Sequence, residues 1–153
     1  MRLCWTLTAL LALALTATLY LFLVRGSVAP ASDGRTAILL DGGERDLVLA
    51  EMRAFLHATQ VVLVGATKGD LVAASAAARG VGAAAQRGVP ASLMGKLPLG
   101  FKQLGFDTHS RFDQLAMDAE SLGDANQTLT ALSELMSNCV ACHAAFRIDA
   151  AQP

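Results

Sequence analysis

LTALSELMSNCVACHAAF, residues 129–146, is the stretch on which the reading of this chain turns. Leu129, Leu132, Met136, Cys139, His143 and Phe146 recur at intervals of three and four, the spacing of one face of an α-helix. The apolar stripe therefore runs straight into Cys139-Val140-Ala141-Cys142-His143, and C-x-x-C-H is the short unit through which a c-type haem is attached. Two cysteines three apart share a helical face, so both sulfurs can meet the two vinyl groups of one porphyrin. His143, the next residue, can then reach the iron from the same side. A redox dithiol would normally open a helix after a strand, where the helix N-terminus lowers the thiol pKa; this motif closes a helical stripe. A zinc site would need further ligands, and the remaining imidazoles are His57 and His109.

Working back from the motif, Gly123 and Asp124 mark a helix boundary, with Asp124 as N-cap and Gln127 three residues on in a near capping box. Residues 99–122 carry Phe101, Leu104, Thr108, Phe112, Leu115, Ala119 and Leu122 on one stripe, with Gly105 its weak point. Residues 88–98, with Pro90, Gly95 and Pro98, read as the longest irregular stretch of the domain. Residues 70–86 form an Ala-rich run that favours helix although Gly80 and Gly82 weaken it; its small side chains permit close approach of a neighbouring helix or a flat ligand. Residues 41–67 place Val48, Met52, Phe55, Thr59 and Val62 on one face. No alternating strand pattern is visible. The expected fold class is all-α, an antiparallel four-helix bundle preceded by an N-terminal transmembrane or signal helix.

That preceding segment is residues 3–24, which hold no charge and lie between Arg2 and Arg25. As a helix rising ~1.5 Å per residue it spans roughly 33 Å, about the hydrocarbon thickness of a bilayer. A cleavable signal has an apolar region of about 7 to 15 residues, so an uncleaved anchor is expected, with Ala29-Pro30-Ala31 as a small-x-small cleavage site if the segment is removed. Residues 1–25 are read as the signal or anchor, 26–43 as a linker and 44–150 as the domain. The domain is expected beyond the membrane, in a bacterial periplasm, anchored to the inner membrane or released there on cleavage. Of the three cysteines only Cys139 and Cys142 fall outside the apolar segment, leaving none for a disulfide. Past Arg25, 10 basic residues face 13 acidic ones, which argues against nucleic acid as a partner.

With C-V-A-C-H-A-A-F-R closing the last of four helices, residues 44–148 resemble the cytochrome c′ and cytochrome c-556 group, in which the haem motif is commonly followed by an aromatic and an Arg. The resemblance implies haem c, with Cys139 and Cys142 as thioether links and His143 as proximal iron ligand. It implies that the first helix passes over the distal face, where low-spin members bring a Met to the iron; Met52 holds the corresponding place. It puts Phe106 and Phe146 beside the ring and allows a homodimer through the first two helices. Val48 stands where the group often has an Arg, with Arg45 one turn earlier, and residues 93–109 depart from the usual pattern.

Read from the residues alone, Met52 is either core filler or sixth ligand. His109 and Met94 are further candidates for that position, and His57 lies about 140° around the helix from Met52. Arg147 is either a counter-charge for a haem propionate or an exposed cation at a helix C-terminus. No nucleophile with its base, carboxylate pair or phosphate loop suggests an enzyme. The function expected is single-electron transfer with redox partner proteins. Binding of nitric oxide or carbon monoxide at an open iron is the alternative, and a metal-binding structural module without haem a minor one.

Overall fold

The computed structural model describes residues 2–151 and is mostly helical. An apolar helix α1, Arg2–Leu19, continues into a π-helical turn, Tyr20–Arg25. The span from Cys4 to Arg25 has a mean hydropathy of 2.3 and none of it is buried in the fold, so it is long and apolar enough to cross a membrane. After it come strands β1 (Val28–Pro30) and β2 (Thr36–Leu40), then helices α2 (Gly42–Lys68), α3 (Leu71–Gly80), α4 (Ala91–Lys96), α5 (Leu99–Leu122) and α6 (Ala125–Ala145), and strand β3 (Phe146–Ala150).

Helix boundaries follow local chemistry. Asp41 accepts from the Glu44 amide at 3.0 Å while Glu44 accepts from the Asp41 amide at 3.3 Å, a full capping box at the start of α2. Gly69 and Gly123 close α2 and α5 in the left-handed region, at φ +77° and +64°, where a Cβ would be strained. Asp124 caps α6 by accepting from the Asn126 and Gln127 amides at 2.8 and 3.1 Å. Asp124→Ala should cost about 1 kcal/mol, read as a lowered urea midpoint with an unchanged slope.

Helix α2 packs against α3, α3 against α5, α5 against α6, and α6 back against α2. Inside this ring Ala58, Val62, Ala74, Ala78, Phe112, Leu115, Ala116, Leu132 and Leu135 form the main core. The small residues of the Ala-rich run serve helix packing: Ala74, Ser75 and Ala78 are buried. At Gly65 of α2 an added Cβ would stand 2.7 Å from the Asp70 carbonyl and 3.0 Å from the Ala74 methyl.

Four expectations are corrected. The region read as a linker contains β1 and β2, with β1 antiparallel to β2 and β2 parallel to β3 in the order β1-β2-β3. Ala37, Ile38 and Leu40 are buried there, and a second core of Ile38, Leu40, Val48, Leu93 and Leu97 takes in Val28, Phe146 and Ile148. The last helix stops at Ala145, because Phe146 turns extended, at φ −126° and ψ 154°, to hydrogen-bond its strand to β2. The Ala-rich helix ends at Gly80, followed by a short 3-10 turn, Ala83–Gln86. There the Ala83 amide donates to Asp113 at 2.8 Å and Gly82 lies too close to that carboxyl for any side chain. The stretch read as irregular, 88–98, holds the one-and-a-half-turn α4.

Candidate haem site

At the C-terminal end of α6, Cys139 and Cys142 are half-buried and His143 is exposed. All three line one cavity with Met52, Phe55 and Thr59 of α2, Phe101, Leu104 and Thr108 of α5, and Met136 and Asn138 of α6. Helices α2 and α6 thus carry the thioether and the C-x-x-C-H motif to walls of the same space, although 87 residues separate Met52 from Cys139.

The thiols show no activation. Burial pushes the Cys142 pKa up to about 11, with the neighbouring Cys139 adding to it, and burial likewise raises Cys139. Both stay protonated at neutral pH, whereas a reactive cysteine needs a lowered value and an electropositive setting. Among the described residues no group of three or more His, Cys, Asp and Glu is placed to hold a metal ion. What the cavity offers instead is two thiols and an imidazole on one side, a thioether on another, and apolar walls. That donor set fits a covalently attached haem. The enclosed volume, about 200 Å³, is less than the roughly 300–1,000 Å³ of usual ligand cavities. Its edge carries the exposed side chains of Leu56 and Met136, and Val48, Glu51, Phe101 and Gly105 form a wall shared with a second cavity of about 700 Å³.

The other candidates fall elsewhere. Phe106, five residues after Phe101 and so on another face of α5, is exposed and lines only the second cavity. Phe146 packs edge-on to Phe101, with centroids 5.7 Å apart; Phe101 lines the cysteine-lined cavity and Phe146 does not. Arg147 lies in β3, where it donates to Asp149 at 2.8 Å and to Asp33 at 3.4 Å; it lines neither cavity. Met94 lines the second cavity, and His57 is exposed. Arg45 is also exposed, while Val48 lines both cavities.

His109 is buried with both ring nitrogens engaged: Nδ1 lies 2.7 Å from the Val81 carbonyl and Nε2 3.2 Å from Glu51 Oε1. Desolvation penalises its charged form, but the hydrogen bonds to Glu51 and to the Val81 carbonyl outweigh it, and the pKa is raised. A raised folded value means stability that is fully present below the ordinary histidine pKa of about 6.5 and lost as the pH rises through the folded value. The melting temperature of Glu51→Gln should therefore lie furthest below wild type near about pH 6 and approach it by about pH 9.

Two supporting groups escaped the sequence reading. Asn138, buried one residue before the first cysteine, donates to Asp107 Oδ2 at 2.7 Å and to Thr108 Oγ1 at 3.3 Å, pinning α6 to α5 beside the motif. Its only signal was a polar residue interrupting an apolar stretch. Arg35, from the supposed linker, donates to the main-chain carbonyls of His143 and Phe146 at 3.3 and 3.4 Å. A cation belongs at a helix C-terminus, and this one fixes the backbone of the turn that carries His143. Asp33 holds it, at 3.0 and 2.7 Å, and the Arg35 hydrogen bond in turn lowers the Asp33 pKa to about 2.

Comparison of the chain with protein-family models, with characterised proteins and with solved structures gave no match.

Proposed function

We propose that this chain is a c-type cytochrome of the cytochrome c′ and c-556 kind, an antiparallel four-helix bundle carrying single electrons at one covalently held haem c. The observation that carries this reading is the shared cavity: the thiols of Cys139 and Cys142, the His143 imidazole and the Met52 thioether line one apolar space. The haem supplies a reversible one-electron ferric/ferrous couple. The chain's own residues do the rest. Cys139 and Cys142 would form the thioether links, and His143 and Met52, which line the same cavity, would ligate the iron. Phe55, Phe101 and Leu104 limit water access, and Asn138 and Arg35 hold the α6 end in register. The Met52 thioether on the wall of this cavity would favour electron transfer over capture of nitric oxide or carbon monoxide. Haem staining of the full chain on a denaturing gel, after production in cells with a c-type haem assembly system, tests the reading. A stained band at the chain's mass is expected, and an unstained one overturns it.

The cytochrome domain is held in the bacterial periplasm by residues 2–25 as an uncleaved inner-membrane anchor, where it exchanges electrons with redox partner proteins. Retention is supported by β1: cleavage after Ala31 would remove a strand whose Val28, Ala29 and Pro30 pair with Ile38, Ala37 and Thr36. The protein should fractionate with membranes at full length and resist extraction by alkaline carbonate. A soluble product beginning at Ser32 contradicts the anchor and leaves the cytochrome reading intact.

A further inference from the structure

The apolar N-terminal segment does not join the domain through a loose hinge. At its end the carbonyls of Phe22 and Leu23 accept from Lys102 Nζ at 3.3 and 3.0 Å. The Phe22 ring lies so close over Gly95 that a Cβ there would stand 2.4 Å from it. Gly26, at φ +68°, sits against the backbone of Lys96, Leu97 and Pro98, again with no room for a Cβ. The Ser27 amide donates to the Lys96 carbonyl at 2.7 Å, the Leu39 amide to the Ser27 carbonyl at 2.8 Å, and β1 then enters the sheet. The exit of the segment is thereby fixed to α4 and to the first turn of α5.

The surface beside this attachment is amphipathic. Leu99, Lys102 and Phe106 follow one another at intervals of three and four, hence on one stripe of α5. Leu99 is 41% exposed and Phe106 46%, and Lys102 between them is the residue that holds the segment. Arg87 and Val89, both exposed, line the second cavity together with Lys102 and Phe106. Arg25 ends the π-helical turn. Neither Arg25, Arg87 nor Lys102 has a carboxylate partner among the described residues. Apolar side chains interleaved with cations that no carboxylate neutralises are what a headgroup and acyl boundary accepts, and long cationic side chains can keep their charge at the phosphates while their stems lie lower.

We propose that the face formed by Arg25, Arg87, Val89, Leu99, Lys102 and Phe106 rests on the bilayer that α1 crosses, its apolar residues entering the interface and its cations meeting anionic phospholipid headgroups. This rests on the membrane reading of residues 2–25 and goes beyond it: the anchor is a mount that fixes the domain's attitude, not a tether. The second cavity, lined by Arg87, Val89, Met94, Lys102 and Phe106, then opens beside the lipid. The cysteine-lined cavity is held at one attitude to the membrane, which restricts how a redox partner can approach.

The test is photo-crosslinking of the full chain in nanodiscs containing phosphatidylglycerol. The photoreactive residue benzoylphenylalanine is placed at position 99 or 106, or at the exposed control positions 56 and 122, and lipid adducts are counted by mass spectrometry. Adduct yields several-fold above the controls are expected at 99 and 106, falling toward control level when Arg87→Glu and Lys102→Glu are combined, with circular dichroism checking that the variant is folded. Equal yields at all four positions in chains that co-purify with the nanodiscs overturn the membrane face while leaving the anchor standing. Chains that fail to enter nanodiscs overturn both.

Discussion

Replacing Cys139 and Cys142 together with Ala should abolish haem retention through acid-acetone extraction and denaturing electrophoresis, while each single substitution keeps one thioether and a stained band. A ring held by His143 alone is extractable, because imidazole coordination is lost when the chain unfolds or the nitrogen is protonated. The loss is all or none, a larger effect than any packing consequence of turning half-buried thiols into methyls. Protection of both thiols by burial bears on the same experiment. With Cys142 raised to about 11 and Cys139 also raised, the unmodified chain should react slowly with alkylating reagents at neutral pH, so that full alkylation marks haem-free protein that has opened. Haem that survives extraction in the double variant would sink the assignment.

Met52→Ala should convert the ferric protein from low spin to high spin, lower its potential and let carbon monoxide bind the ferrous form without delay. With the Met52 thioether proposed as the sixth ligand, the effect follows because a methionine paired with a histidine raises the potential relative to a weaker ligand. Because Met52 is half-buried, its truncation costs on the order of 1–2 kcal/mol, at or below the lower end for buried methionines, so the folded variant remains available for spectroscopy. Met136→Ala is the matched control. Its sulfur lines the same cavity but lies on α6, the helix that carries His143, and cannot supply a ligand from the α2 side. A wild-type protein that is already high-spin, and whose spectrum Met52→Ala leaves unchanged, would make Met52 a packing residue and turn the reading toward gas binding.

The helices were legible because they obey a local rule. The stripes through Val48 and Met52, through Phe101 and Phe112, and through Leu132 and Cys139 are set by the helical period, and Gly69, Gly123 and Asp124 mark their ends by backbone and capping chemistry. The sheet was illegible because its strands are short and non-local. Val28–Pro30 carries too few residues to show alternation, and Phe146–Ala150 follows an apolar helical stripe without a Gly or Pro to end it. Only the pairing with Thr36–Leu40, more than 100 residues earlier, makes the end of α6 extended. The same non-locality hid Arg35, which reaches the His143 carbonyl across 108 positions. Within the site, Cys139, Cys142 and His143 were readable from spacing alone, whereas the meeting of Met52 with them depends on how α2 and α6 pack. Phe106 lies on another face of α5 and lines the second cavity, whereas Phe101, Leu104 and Thr108 are the side chains that α5 turns to the cysteine-lined one.

The absorption spectrum of the ferric full-length protein reports haem attachment, spin state and the identity of the sixth ligand together. The expected result is a low-spin spectrum with the weak far-red charge-transfer band of sulfur bound to ferric iron, lost in Met52→Ala and retained in Met136→Ala. A chain matured alongside a c-type haem assembly system that shows no haem absorbance at all would contradict it.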